Sequence, residues 1–390
     1  MYNRKLVLWA AFLGMLLFGI TMTTLGSILP QVIVKFGVDK ANAGTLFSLM
    51  SFGILIGSVV FGPIVDRYSY KAMLSICAFL VLLGLEGIAF APSFPALRIA
   101  VFVFGFGGGV INGGTNALVS EISEEGRSSG LAFLGVFFGI GAFGVPFILG
   151  SLLDYFSYSG ILAVIGLFVL VPLAFFFLIQ FPKPKHEQGF PLQEGASLFK
   201  ESTLFLLGFL LFFQSGMEIT VGGWTSTYFT EELGLSSNNA VYFLSLFWVG
   251  MMIARLFLGA MLKKSSPARV LQSFIGITLV GSVLLLASHN LWLASGGIFL
   301  VGFGLAAGYP VVLGFVGDIY TKLSGTAFSI GLVMGLIGGM ILPYGTGVLG
   351  DAFGLRPSFS IVPVSLILQF ILLVIVLRRF TKFHSDQVKM

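Results

Sequence analysis

Twelve predominantly apolar runs divide the chain, each at least as long as an α-helix needs to be to cross a bilayer. They cover approximately 6–34, 43–65, 72–91, 95–119, 128–152, 159–181, 203–230, 240–262, 269–288, 291–317, 325–349 and 357–380, and a spanning helix takes about 20 such residues. Composition closes off a water-soluble alternative. Charged residues make up 9% and hydrophobic residues 57% of the chain, against about 25% charged in a soluble domain. Most of the outer surface must therefore face lipid. The 52 glycines suit helices that approach closely where no hydrophobic force drives them together. The expected fold is an all-α, multi-pass membrane protein.

The first apolar run follows a short basic N-terminus and extends to about Pro30. It is too long for a signal-peptide core and lacks an A-x-A site, so it reads as a retained span. One cysteine, Cys77, excludes an internal disulfide and a cysteine-rich metal site. Between the sixth and seventh runs, residues 182–202 hold three prolines, three lysines and three glutamates. This polar linker separates an N-terminal six-helix bundle, 1–181, from a C-terminal one, 203–390.

The net charge of +5 lies in short loops between apolar runs, which makes it a topology signal and not a nucleic-acid footprint. With the N-terminus inside, sixteen Lys and Arg residues fall on the cytoplasmic side, four on the outer side and one, Arg255, within a span. That asymmetry places both termini in the cytoplasm, in a bacterial inner membrane. The chain is expected to work as a monomer in the lipid bilayer with a small-molecule solute as its partner. No resident cofactor is expected, only a coupling proton or sodium ion.

The two halves overlay at a constant offset of 197 residues. Gly19, Gly26 and Gly37 fall on Gly216, Gly223 and Gly234; Gly53 and Gly62 fall on Gly250 and Gly259. Phe102, Gly105, Phe106 and Gly107 fall on Phe299, Gly302, Phe303 and Gly304. Parallel repeats of this kind place a solute site near the membrane midplane, lined by helices one, four, seven and ten.

Between the second and third runs stands Gly62-Pro63-Ile64-Val65-Asp66-Arg67-Tyr68-Ser69-Tyr70-Lys71. It resembles the G-x-x-x-D-R-x-G-R-K loop of the major facilitator superfamily. The resemblance implies that Asp66, Arg67 and Lys71 form a gating cluster at the cytoplasmic helix ends. Ser69 and Tyr70 depart from the family's Gly and Arg. The second copy of the loop has Lys263 where an acid stood.

Polar residues inside spans are costly and usually functional. Glu218 lies near the middle of the seventh run, with Gln214 one turn earlier on the same face and Trp224 and Tyr228 beyond Gly222 and Gly223. This stretch resembles the G-x-E-x-x-x-G-G-W stretch of sugar transporters of the fucose–proton symporter family and their sodium–glucose relatives, which implies a carbohydrate solute. Glu218 reads as a solute contact, as a coupling carboxylate or as a structural partner to another helix. No cation is expected at its depth, because Arg255 lies nearer the cytoplasm. Arg255 is expected to act as a gate charge with Asp318 near the inner end of the tenth run. Asn112 and Asn116 of the fourth run and Tyr309 of the tenth are further solute candidates. Gln31 and Thr24 of the first are weaker ones, because a helical hydroxyl bonds readily to its own helix.

The glycine run at 105–109 sits inside a span with no strand before it, so it is no dinucleotide fingerprint. With no metal-ligand spacing and no nucleophile elbow, an enzyme is not expected. The reading is a secondary active transporter, a symporter in the cell membrane, that moves a sugar or similar small polar solute by alternating access. The alternatives are an exporter of amphipathic compounds or drugs and a non-transporting receptor or assembly subunit.

Overall fold

The computed structural model describes residues 2–122, 127–182, 201–320 and 324–387, the side chains of 62–68, 127–129, 132, 324–326 and 380–387 excepted. Its described secondary structure is helical, with twelve helices long and apolar enough to span a membrane. They are α1 (Arg4–Phe36), α2 (Lys40–Phe61), α3 (Ser69–Phe90), α4 (Phe94–Ile122), α5 (Arg127–Leu152), α6 (Tyr158–Leu178), α7 (Ser202–Leu233), α8 (Ser237–Lys264), α9 (Pro267–Ala287), α10 (Leu291–Ile319), α11 (Ser324–Phe353) and α12 (Leu355–Arg379). A spanning helix satisfies its backbone within itself, so only the ends need other partners. Asn3, Asp39, Ser157 and Asn290 supply side-chain oxygens to the first amides of α1, α2, α6 and α10.

The helices form two compact units. The first comprises Met1–Gly189 and Gly222–Ser245, the second Phe190–Val221 and Leu246–Met390. In the first, α1 packs along α5, and α4 packs against α2 and α3. In the second, α9 packs along the first part of α10. The last part of α7, from Gly222, and the start of α8 group with the first unit, and the earlier part of α7 with the second. Most of the expected linker lies outside the described residues.

The 197-residue repeat holds at the level of single atoms. A Cβ added to Gly53 would run into the carbonyl of Phe102 and the amide of Phe106; on Gly250 it would meet the same groups of Phe299 and Phe303. On Gly107 it would meet the Cys77 carbonyl and Val81 amide, and on Gly304 those of Phe274 and Thr278. Every partner is displaced by the same interval as the glycine. Gly37 and Gly234, one interval apart, both end their helices in the left-handed conformation, with φ of 58° and 69°.

Two local features were not expected. α10 is not one helix: it runs Leu291–Leu305 and resumes at Gly308–Ile319. Pro310 explains the break, since it lacks the N–H that would bond the carbonyl of Ala306 and its ring crowds that carbonyl. Helicity persists from Lys40 to Phe90 except at Ser69, with φ 81° and ψ 155°. That region is open almost only to glycine. Ser69 therefore carries a side chain in a backbone conformation that suits glycine. Tyr70, where the family has arginine, is buried and donates its hydroxyl to Glu121 Oε1 of α4 at 2.7 Å. The side chains of Asp66 and Arg67 lie outside the described residues; Lys71 is half-buried.

Candidate functional site

In the second unit, polar side chains from α7, α8, α10 and α12 gather inside the apolar bundle. Gln214, 2% exposed, donates from Nε2 to the Leu305 carbonyl at 2.7 Å. This carbonyl sits at the break in α10, where the helix no longer supplies its partner. Gly308, on the far side of the break, has no room for a Cβ beside the Gln214 carboxamide. Gln369 of α12 donates to the Leu210 carbonyl at 3.2 Å and reaches Gln214 Oε1 at 3.5 Å. Gln214 also hydrogen-bonds the side chain of Glu218. Both its donors and its acceptor are thus engaged. The sequence suggested Gln214 as a solute contact, whereas its geometry ties three helices together.

Glu218, one turn further along α7, is 6% exposed, and its Oε2 takes no hydrogen bond from the described residues. Arg255 of α8 acts on it electrostatically and acts also on Tyr309 of α10, which hydrogen-bonds Ser215. The expectation that no cation serves Glu218 is therefore corrected. Counting residues along a helix places the Cα, but an arginine carries its charge on a long stem. Tyr309 and Arg255 are half-buried, and Asp318 is exposed near the end of α10. The group can attract a proton or other cation at Glu218 and offer hydroxyl and guanidinium donors beside it.

The remaining candidates lie in the first unit. Trp224 and Tyr228 are fully buried, with the Trp224 ring 6.0 Å from Phe47 of α2 and the Tyr228 ring 6.0 Å from Phe229. They belong with the first unit and not with Glu218, so the stretch that resembled a single sugar motif serves two units. Asn116 Nδ2 donates to the Asn112 carbonyl at 2.9 Å and to its side chain at 3.1 Å, so the two amides bond each other along α4. Both are half-buried. Thr24 bonds the Ile20 carbonyl of its own helix at 2.7 Å. Gln31 is half-buried, with Oε1 buried and without a hydrogen bond among the described residues.

Sequence reasoning missed Ser215, Gln369 and the reach of Arg255. Gln369 carried a signal, a lone amide inside the apolar run of α12. Ser215 carried none, because hydroxyls within spans are common and self-satisfied.

Comparison with known proteins agrees with this architecture. The model of the Major Facilitator Superfamily matches residues 11–286 and 204–389. An uncharacterized transporter of Sinorhizobium fredii is 26% identical over 90% of this chain and 92% of its own. Sodium-dependent glucose transporter 1A of Mus musculus is 25% identical over 88% of each chain. Among solved structures, a D-xylose–proton symporter superposes with a TM-score of 0.80 over 95% of this chain and 97% of its own, at 15% identity. The nucleoside transporter NupG, solved as a point mutant, gives 0.77 over 97% and 99%, at 16% identity. At these identities the structural likeness is one of fold.

Proposed function

Because the chain belongs to the Major Facilitator Superfamily, a family of membrane transporters and not enzymes, we propose that it carries a sugar or similar small neutral polar solute, coupled to a proton or sodium ion. The observation that carries this reading is the Glu218 group: one carboxylate, one guanidinium, a phenol and a serine in the interior of a spanning bundle. A buried charge is disfavoured by several kcal/mol unless it is paired, hydrated or protonated. Glu218 has a cation within electrostatic reach and an oxygen left open, which suits an ion that comes and goes. Tyr309 and Arg255 supply donors that suit a hydroxylated solute. The glucose-transporting relative supports the same class. The charge asymmetry of the loops supports a cytoplasmic location for both termini.

The test is uptake by purified protein in proteoliposomes. A panel of hexoses, pentoses and nucleosides is offered under an inward sodium gradient, an inward proton gradient, or neither. Concentrative uptake of one sugar under one gradient supports the proposal. Uptake of amphipathic cations with no sugar flux overturns it.

A further inference from the structure

In the second unit, α9 lies close along the first part of α10 because glycines on each let the other's backbone in. A Cβ on Gly281 would meet the Gly297 carbonyl, one on Gly297 the Gly281 carbonyl and the Leu285 amide, and one on Gly304 the Phe274 carbonyl. Gly276 of α9 is different, because a Cβ there would enter open space. Beside it runs a groove of about 390 Å³, lined by Ser273, Gly276, Ile277, Val280 and Leu300. Ser273, Gly276 and Val280 are exposed, so in a bilayer the groove meets lipid.

Positive charge gathers at one end of this groove. Spacings of three and four residues put Arg269, Ser273, Gly276 with Ile277, and Val280 on one stripe of α9, and Ser273 donates to the Arg269 carbonyl at 3.0 Å. Arg269 is exposed and donates from Nε to Ser266 Oγ at 3.1 Å. Lys263 and Lys264, also exposed, end α8 just before the turn into α9. None of the three cations is in an ion pair among the described residues. Ser266 makes no side-chain cap to the first amides of α9, so those amides add to the positive field. From Arg269 to Val280 the stripe rises roughly 16 Å. Half of a hydrocarbon core about 30 Å thick is nearly the same, so the groove and its charged foot span one leaflet. A second copy of the chain suits this face poorly. Two copies share one orientation in the membrane, and a twofold contact here would set their cation clusters side by side.

We propose that the α9–α10 groove binds one anionic phospholipid, with an acyl chain along Ser273, Gly276, Val280 and Leu300 and the phosphodiester on Lys263, Lys264 and Arg269. A phosphate matches the forked donors of a guanidinium and the point charges of two ammonium groups. The asymmetry of the loop charges puts this foot on the cytoplasmic side, where the leaflet carries anionic lipid. Lys263 takes the place that Asp66 holds in the first half, 197 residues earlier. An acid there would repel the headgroup. The site depends neither on the solute nor on the coupling ion.

Native mass spectrometry tests it. Purified full-length protein is offered dioleoyl phosphatidylglycerol or dioleoyl phosphatidylcholine, and the lipid it retains is measured. The unmodified protein should retain the anionic lipid at least tenfold better. Replacing the three cations together, Lys263→Gln, Lys264→Gln and Arg269→Gln, should abolish that preference. Gly276→Leu fills the groove from a position with open space and leaves the charges intact, and it should lower retention of phosphatidylglycerol severalfold. Leu300→Trp fills the groove from the other wall if Gly276→Leu is not recovered as monodisperse protein. Equal retention of the two lipids by the unmodified protein, or a preference that survives the triple change, overturns the site. Retention untouched by either groove variant puts the lipid on the charges alone and overturns the groove. Dimers that persist in phosphatidylglycerol and vanish with Gly276→Leu would give the groove to a second copy and overturn the lipid.

Discussion

Ser69 shows how much a single residue can disclose. The sequence marked it only as a departure from a glycine in a loop motif. The structure holds it at φ 81°, a conformation that costs a non-glycine residue about 1–3 kcal/mol. Ser69→Gly should relieve that strain, less the greater unfolded-chain freedom of glycine, for a net gain of about 1 kcal/mol. Scanning fluorimetry on purified protein checks this, and an unchanged or lower melting temperature contradicts it. Glu218 is the residue on which function should turn. Glu218→Gln keeps shape and one acceptor but removes the charge. Concentrative uptake should fall by tenfold or more, the equivalent of about 1.4 kcal/mol, while exchange of solute across equal concentrations persists. Loss of both places Glu218 on the solute directly, and retention of both removes it from the mechanism. Glu218 was readable as a lone acid in an apolar run. Its cation was not, because the direction taken by a long arginine side chain is set by packing and not by position along α8.

Among the elements, α10 departs most from what its sequence suggested. A run from 291 to 317 read as one helix although Gly308 and Pro310 stood within it; hydrophobicity was weighed and the backbone donor count was not. At the break the Gln214 amide takes up the Leu305 carbonyl, one residue before the Ala306 carbonyl that Pro310 leaves without a donor. In the other half the equivalent positions are Leu17 and Ile111, inside α1 and α4, and α4 is continuous there. Gly308→Ala should therefore be far more damaging than an alanine in a helix usually is, because its Cβ meets the Gln214 carboxamide. Gln214→Ala alone should cost about 1–3 kcal/mol by leaving the carbonyl unsatisfied. The double variant should be less destabilised than the sum, with a coupling of about 1 kcal/mol or more. Thermal melts of the four proteins measure it, and strict additivity contradicts the link.

At the scale of the molecule, the repeat was the most readable feature and the assignment of α7 the least. Glycines recur at a fixed interval because each lets one particular backbone approach another, so chemistry and spacing repeat together. Gly53→Val and Gly250→Val should accordingly be equivalent lesions. Each forces apart a helix pair of the same geometry, α2 from α4 and α8 from α10, and each should reduce the monodisperse protein recovered in detergent to a similar extent. A severe loss from one with a mild loss from the other would show that the copies no longer carry equal structural weight. The division of α7 had no comparable signal. Residues 214–229 are buried all round, without a break at Val221 and Gly222, and apolar composition tells that a stretch is buried, not which neighbours bury it.

That division has a consequence for biogenesis. The first six helices leave the ribosome well before Gly222–Ser245, yet their compact unit includes that segment. At about 5–20 residues per second, the 67 residues from Leu178 at the end of the sixth helix to Ser245 take several seconds to make. During that interval the early helices sit in the bilayer with the face of α1 at Gly26, which the Gly222 carbonyl later abuts, uncovered. The first half of the polypeptide is thus finished by the second, and an insertion chaperone or the translocon itself has a defined window, and a defined surface, to protect.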